Sequence, residues 1–255
     1  MTTVYLALGG SLPPIALAMS SLPAPSVLCS YVVYPRFKPV LMGEVGTVRE
    51  WVLDSGAYSA KHSGIEISIE QYIDFCHEMN ASKRPPSAIF ALDVIGDWRG
   101  TMANTELMWK RGVEAIPCYH AGEPSDVLGV MARDYPRIAI GGSAGVLYGK
   151  ERNRYFDAVF AKVWPKRVHG FGITTQDILS AYPFHSVDAS SWELGVLRYG
   201  TWKAHRGLKT PWLRRDHNLR IEVEHYLDME AQLRVRWARQ MKELEAACGP
   251  LTAAS

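Results

Sequence analysis

The apolar runs of this chain are short, and most of them end abruptly on a chemically useful residue. Trp51-Val52-Leu53 stops at Asp54-Ser55-Gly56, Ala88 to Leu92 at Asp93, Ala115 to Tyr119 at His120, and Ile138-Ala139-Ile140 at Gly141-Gly142. Val168 to Phe171 and His185 to Val187 follow, the last ending at Asp188, while Thr3 to Leu8 closes on Gly9-Gly10 and Val27 to Tyr34 on Pro35. Unalternated runs of this length, bounded by turn formers, are the pattern of strands buried on both faces. Helical periodicity lies between them. Ile69, Tyr72, Ile73, Cys76 and Met79 share one face of a helix over 69–79, and Ser68 with Gln71 suits a capping box at its start. Further helices are expected around 102–111, 127–133, 153–163 and 176–181. A long last helix over 219–247 carries Val223, Tyr226, Leu233, Trp237, Met241 and Leu244 on one stripe.

Eight strands alternating mostly with helices predict an α/β fold, a (β/α)8 TIM-type barrel. Residues 1–197 are expected to form the barrel, and residues 198–255 a basic, aromatic segment and a C-terminal helix packed on it. An open doubly wound sheet is the rival, and the thin connection between the second and third strands is the weakest part of the barrel pattern. The barrel is preferred because barrel enzymes keep their active sites at the C-terminal strand ends, where the useful residues recur.

Composition narrows the setting. With 255 residues, 47% of them hydrophobic, the chain can bury a full core, and a formal net charge of +2 leaves any acidic partner to a local patch. The four cysteines show no CxxC pairing and read as buried thiols in a reducing compartment. No Lys or Arg precedes Arg36, so the basic start of an export signal is missing, and no apolar run is long enough to span a bilayer. A cytoplasmic protein without a membrane partner is expected. The local patch is Arg198 to Arg220, where Arg198, Lys203, Arg206, Lys209, Arg214, Arg215 and Arg220 face one acid, Asp216. Tyr199, Trp202 and Trp212 are interleaved. Cations for phosphates and flat rings for bases suit a nucleic-acid strand. A solvated loop with tryptophans in the core is the plainer alternative.

The candidate chemistry sits at the strand ends. Asp54 and Asp188 lie far apart in sequence, yet a closed barrel can aim both into one mouth. Such a pair lets one carboxylate attack a sugar carbon while the other handles the leaving group's proton. Each could instead only cap a helix or turn. Asp93 and Asp97 add acids suited to reading a base edge. His120, His169 and His185 raise the possibility of a metal. Without HxH or HExxH spacing no metal is expected, and His169 and His185 read as residues of the barrel wall. Gly141-Gly142-Ser143-Ala144-Gly145 lacks the Lys-Ser/Thr of a P-loop and reads as backbone exposed to a ligand.

Taken in order, Leu53-Asp54-Ser55-Gly56-Ala57, Ala91-Leu92-Asp93, Ile140-Gly141-Gly142, His169-Gly170-Phe171-Gly172 and Ser186-Val187-Asp188 resemble the active-site motifs of the tRNA-guanine transglycosylase superfamily. The likeness covers roughly residues 51–192 and is greatest to the short phage and bacterial branch that inserts 7-deazaguanines into DNA. It implies a (β/α)8 barrel without a cofactor, in which Asp188 is the nucleophile on C1′ and Asp54 the acid/base partner. It further implies that Asp93 reads the base edge, the Gly141-Gly142 backbone faces the base carbonyl, and Gly170 and Phe171 wall the pocket. A flipped base needs such a mouth, with His120 as a base contact and Tyr58, Phe171 and Trp192 as flat surfaces. The CxCxxC…His zinc site of the tRNA enzymes is missing, which favours DNA over tRNA, with a free 7-deazaguanine as co-substrate. The competing expectations are a DNA glycosylase that excises a modified phage base and leaves an abasic site, a non-catalytic nucleic-acid binder, and a metal-dependent hydrolase.

Overall fold

A computed structural model describes residues 2–10, 15–16, 19–20, 23–143, 146–199 and 215–249. Nine parallel strands are found among them: β1 (Thr3–Ala7), β2 (Ser26–Ser30), β3 (Trp51–Asp54), β4 (Ile89–Phe90), β5 (Ala115–Ile116), β6 (Cys118–His120), β7 (Arg137–Gly141), β8 (Arg167–Gly170) and β9 (Ser186–Ala189). They lie in the order β5-β4-β3-β2-β1-β9-β8-β7-β6. The two outer members are halves of one stretch divided at Pro117. The first half pairs with β4 and the second with β7, and the Pro117 carbonyl still accepts from the Ala139 N–H at 2.8 Å. The sheet therefore closes on itself as eight staves, a (β/α)8 TIM-type barrel. Proline without an N–H is tolerated there because the stave changes partner at that residue.

Two apolar layers hold the barrel. Tyr5, Leu28, Val52, Phe90, Ile116, Cys118 and Ala139 fill its interior, and a larger cluster packs the outer strand faces against the helices. Alternation along each strand divides the two layers, so both faces are buried. Among the described residues no helix is long and apolar enough to cross a membrane.

The helices depart from expectation in informative ways. The run read as a strand up to Tyr34 ends at Ser30, and Tyr34–Leu41 is helix α1, with Pro35 at its start. Proline there begins a helix, since its fixed φ suits the first turn and its missing N–H would have no partner anyway. This helix supplies the connection that looked thin. A second unforeseen helix, α2 (Ala57–Ser63), follows β3. Helix α3 (Ile69–Asn80) matches its expected face, and Ser68 accepts from Gln71 N–H at its start. Helix α4 (Trp98–Lys110) begins earlier than expected, capped by Asp97, which accepts from Arg99 N–H at 3.0 Å. Asp97 thus serves as a helix cap. Helices α5 (Ser125–Asp134), α6 (Gly149–Val163), α7 (Gln176–Ala181) and α8 (Ser191–Tyr199) complete the circuit.

The last expected helix is two, α9 (Arg215–Arg236) and α10 (Ala238–Cys248), joined at Trp237. Leu219, Val223, Tyr226 and Leu233 belong to the same core as the strands. A buried acid fixes this packing. Glu230 accepts from the Val4 N–H at 2.8 Å and pairs with Arg49 and Arg234, each at 2.8 Å. Glu230→Ala would leave a buried strand donor and two guanidiniums without their acceptor. We expect a stability loss of about 3–5 kcal/mol, read as a lower urea midpoint with an unchanged slope. Of the residues expected to dock DNA, Lys203, Arg206, Lys209, Arg214 and Trp202 lie outside the described residues, as do the side chains of Arg198 and Arg215.

Candidate active site

Each side chain of the mouth comes from the C-terminal end of a stave. Asp54 is the last residue of β3, and the chain turns directly after it through Gly56 at φ +76°. A side chain at Gly56 would press on Val32 and Ser30 at 3.0–3.2 Å, so both the backbone angle and the space call for glycine. In return the Gly56 N–H donates to Asp54 Oδ2 at 2.9 Å. Burial nevertheless pushes the Asp54 carboxyl up to about 7; the Gly56 bond opposes this, and the charges of Asp188 and Asp93 reinforce it.

Asp188, in β9, is buried in a different environment. Its Oδ1 accepts from the Gly172 N–H at 2.9 Å and lies 3.5 Å from His169 Nε2. His169 is itself positioned by Ser186 Oγ, 2.9 Å from Nδ1. Thus the two carboxyl groups face one another's fields from staves separated by β2 and β1.

A second cluster lines the far side of the mouth. Asp93 Oδ1 accepts from Thr101 Oγ1 at 2.7 Å, and Oδ2 lies 3.0 Å from His120 Nε2. Glu123 holds His120 from behind: its Oε2 accepts from the His120 backbone N–H at 3.0 Å, and its Oε1 lies 3.5 Å from Nδ1. Burial alone would lower the imidazole pKa, but its bonds to Asp93, Cys118 and Glu123 outweigh burial and raise it well above the usual histidine range. The His120 cation is therefore a fixed donor between two acids.

Gly141 and Gly142 make room for that ring. A Cβ on Gly141 would sit 2.9 Å from His120 Nε2 and 3.0 Å from Cys118 Sγ, and Gly142 takes φ +68°. Gly141→Ala is expected to displace His120 from Asp93 and to cost roughly 1–3 kcal/mol. Thermal unfolding would read the cost, and the imidazole NMR titration would read the lost ion pair.

The remaining expected residues divide. Phe171 packs on Phe90 and His169 with ring centroids 4.7 and 4.6 Å away, at the floor of the mouth. Tyr58 is 67% exposed on α2, its ring 4.3 Å from that of His62. Gly170 faces away from the mouth, since a Cβ there would meet Ile173 and Phe184 at 2.7 and 2.9 Å. Trp192 is fully buried, with Nε1 donating to the Ala7 carbonyl at 2.9 Å. It belongs to the core and offers no face to a base. His169 is in the barrel wall as expected, but its link to Asp188 went unforeseen, as did the Thr101 contact of Asp93. Neither leaves a local signal, because the partners are brought together only by strand register and by the turn into α4.

Asp93, Cys118 and His120 also place three potential metal donors within 4.8 Å of one another. Without a metal, burial pushes the Cys118 thiol up to about 12 and the His120 imidazole holds its proton, so a metal bound here would have to displace both protons.

No protein-family model matches the chain, and no curated protein matches it. Solved structures do. Two mutant tryptophan synthase α-subunits from the hyperthermophile Pyrococcus furiosus align with TM-scores of 0.56 and 0.57. Each is 13% identical and covers 89% of this chain and 97% of its own. What is shared is the fold. At that identity the chemistry of this mouth has to be argued from its own residues.

Proposed function

We propose that the protein is an enzyme that breaks the N-glycosidic bond of a base flipped out of DNA and replaces that base with a 7-deazaguanine. The observation that carries this reading is the unequal carboxylate pair, with Asp54 lifted to about 7 in a desolvated site beside Asp188, which is braced by the Gly172 N–H. Two carboxyl groups whose environments differ in this way divide the work of acid and nucleophile.

In the first half-reaction Asp188 Oδ attacks C1′ as the C1′–N bond breaks. The bonding pair leaves with the base, and protonated Asp54 delivers its proton to the departing ring nitrogen. The sugar is then an ester of Asp188. In the second half-reaction Asp54, now ionised, takes the proton from the incoming 7-deazaguanine, whose nitrogen attacks C1′ and releases Asp188. The Asp93 carboxylate, fixed by Thr101 and the His120 cation, offers an acceptor to the base edge beside that cation, while Phe171 and Tyr58 offer apolar faces. The basic, aromatic stretch from Arg198 to Arg215 suits the flanking phosphates.

Purified protein incubated with DNA carrying natural and phage-type modified bases, with and without 7-deazaguanine, tests this. Mass spectrometry should find a released base together with an incorporated 7-deazaguanine. Release that leaves abasic sites whether or not the free base is added would replace transfer with hydrolysis, water taking the place of the second base. Release from no DNA would refute the DNA reading.

A further inference from the structure

The N-terminal strand ends, opposite the mouth, surround a second cavity of about 270 Å³. That is far more than the roughly 10–15 Å³ one water requires. Val52, Phe90 and Ile116 form its apolar wall, and Arg137, Arg167 and Arg234 bring three guanidiniums to it. Arg137 and Arg167 are direct register partners at the starts of β7 and β8, so two like charges emerge side by side. Such a pair is repulsive unless something between them is negative.

The described residues offset that positive charge only at a distance, through Glu114 on Arg137. Arg234 is taken by Glu230. Arg137 donates to the Ser87 carbonyl at 3.3 Å and Arg167 to the Gly249 carbonyl, and among the described residues neither makes an ion pair with a carboxylate. Glu50 also lines the cavity, accepting from Ser26 Oγ at 3.2 Å, and it makes no ion pair with Arg137 or Arg167 among the described residues. Arg167 is only 4% exposed, yet its Nε has no hydrogen-bond partner. A buried guanidinium N–H without an acceptor is costly and rare, and it points to an acceptor that belongs there. Burial is the main cause that pushes the His185 pKa down to about 3, with Arg167 and Arg137 among the smaller ones.

We propose that this cavity binds a small molecule joining an oxyanion head to an apolar body, the head between Arg137 and Arg167 and the body against Val52, Phe90 and Ile116. The inference is independent of the DNA reading. Its occupant would lie beneath His169 and Ser186, which also line the cavity and whose hydrogen bond orients the imidazole toward Asp188.

Calorimetric titration of the whole protein at constant ionic strength tests it, with phenyl phosphate, benzoate and inorganic phosphate as probes. Phenyl phosphate or benzoate should bind more tightly than inorganic phosphate, and the tighter of the two identifies the head group. Arg137→Gln and Arg167→Gln should each weaken that binding at least about tenfold, whereas Arg137→Lys, which keeps the charge, should weaken it less. Ligand-free Arg137→Gln should melt no lower than the parent, because a repulsive neighbour has been removed. Exposed Arg220→Gln should bind as the parent does. No heat from any probe at millimolar concentration, or equal affinity in parent and glutamine variants, would overturn the proposal and leave the cavity to water.

Discussion

Asp188→Asn should reduce base release by on the order of 10⁴-fold or more, the scale on which removing a covalent nucleophile acts. The amide oxygen can still accept from the Gly172 N–H that now holds Oδ1, so the fold should persist. What disappears is an anionic oxygen able to form the ester with C1′. Two measurements separate this from a general loss of function. Rapid denaturation of the parent during turnover should trap a protein–DNA adduct that Asp188→Asn does not form. DNA affinity should remain close to the parent's, because the substitution leaves the basic segment untouched. Undiminished turnover in the variant would remove Asp188 from the chemistry.

The second large effect concerns Asp54 and carries a definite sign with pH. The carboxyl acts first as an acid, so the active form is protonated. With its pKa near 7, the rate of base release should fall as pH rises through about 7. Asp54→Asn should lower release by roughly 10²–10⁴-fold and flatten that limb. Stability should follow the same group. Between the ordinary carboxyl value of 3.8 and about 7, the folded protein keeps a proton that the unfolded chain has released. The parent should therefore lose stability as pH rises across that window, and Asp54→Asn should lose less. A pH-independent rate together with an unchanged stability slope would place Asp54 outside proton transfer.

The two carboxylates were legible for a local reason. Asp54 and Asp188 each end a continuous apolar run, and in a parallel sheet that position lies at the rim where loops meet ligand. Gly141 was legible as a residue, but its physical role was not. The missing side chain makes room for His120, which reaches it from the neighbouring stave. The misread elements have equally specific causes. Val32-Val33-Tyr34 has the β-branched, aromatic composition of a strand, and only the packing of Tyr34, Phe37, Val40 and Leu41 into the core makes that stretch the foot of a helix. Trp192 looks like a stacking surface because a tryptophan close behind a strand-end acid suggests a pocket. In the folded chain its ring fills core space, and its N–H goes to the Ala7 carbonyl.

What the sequence determined by itself is the set of staves, most of the helices between them and the residues that end each stave. Burial on both faces and chain reversal are written in nearest neighbours, as apolar runs and the Gly and Pro that stop them. What only the tertiary structure decided is which groups answer one another. The division of one stave at Pro117, the bracing of Asp188 by Gly172 with His169 close by, and the His120 cation between Asp93 and Glu123 all depend on strand register and turn geometry. So does the pairing of Arg137 with Arg167 at the far end. Electrostatic energies depend on distance and on exclusion of water, and neither exists until strands remote in sequence lie side by side.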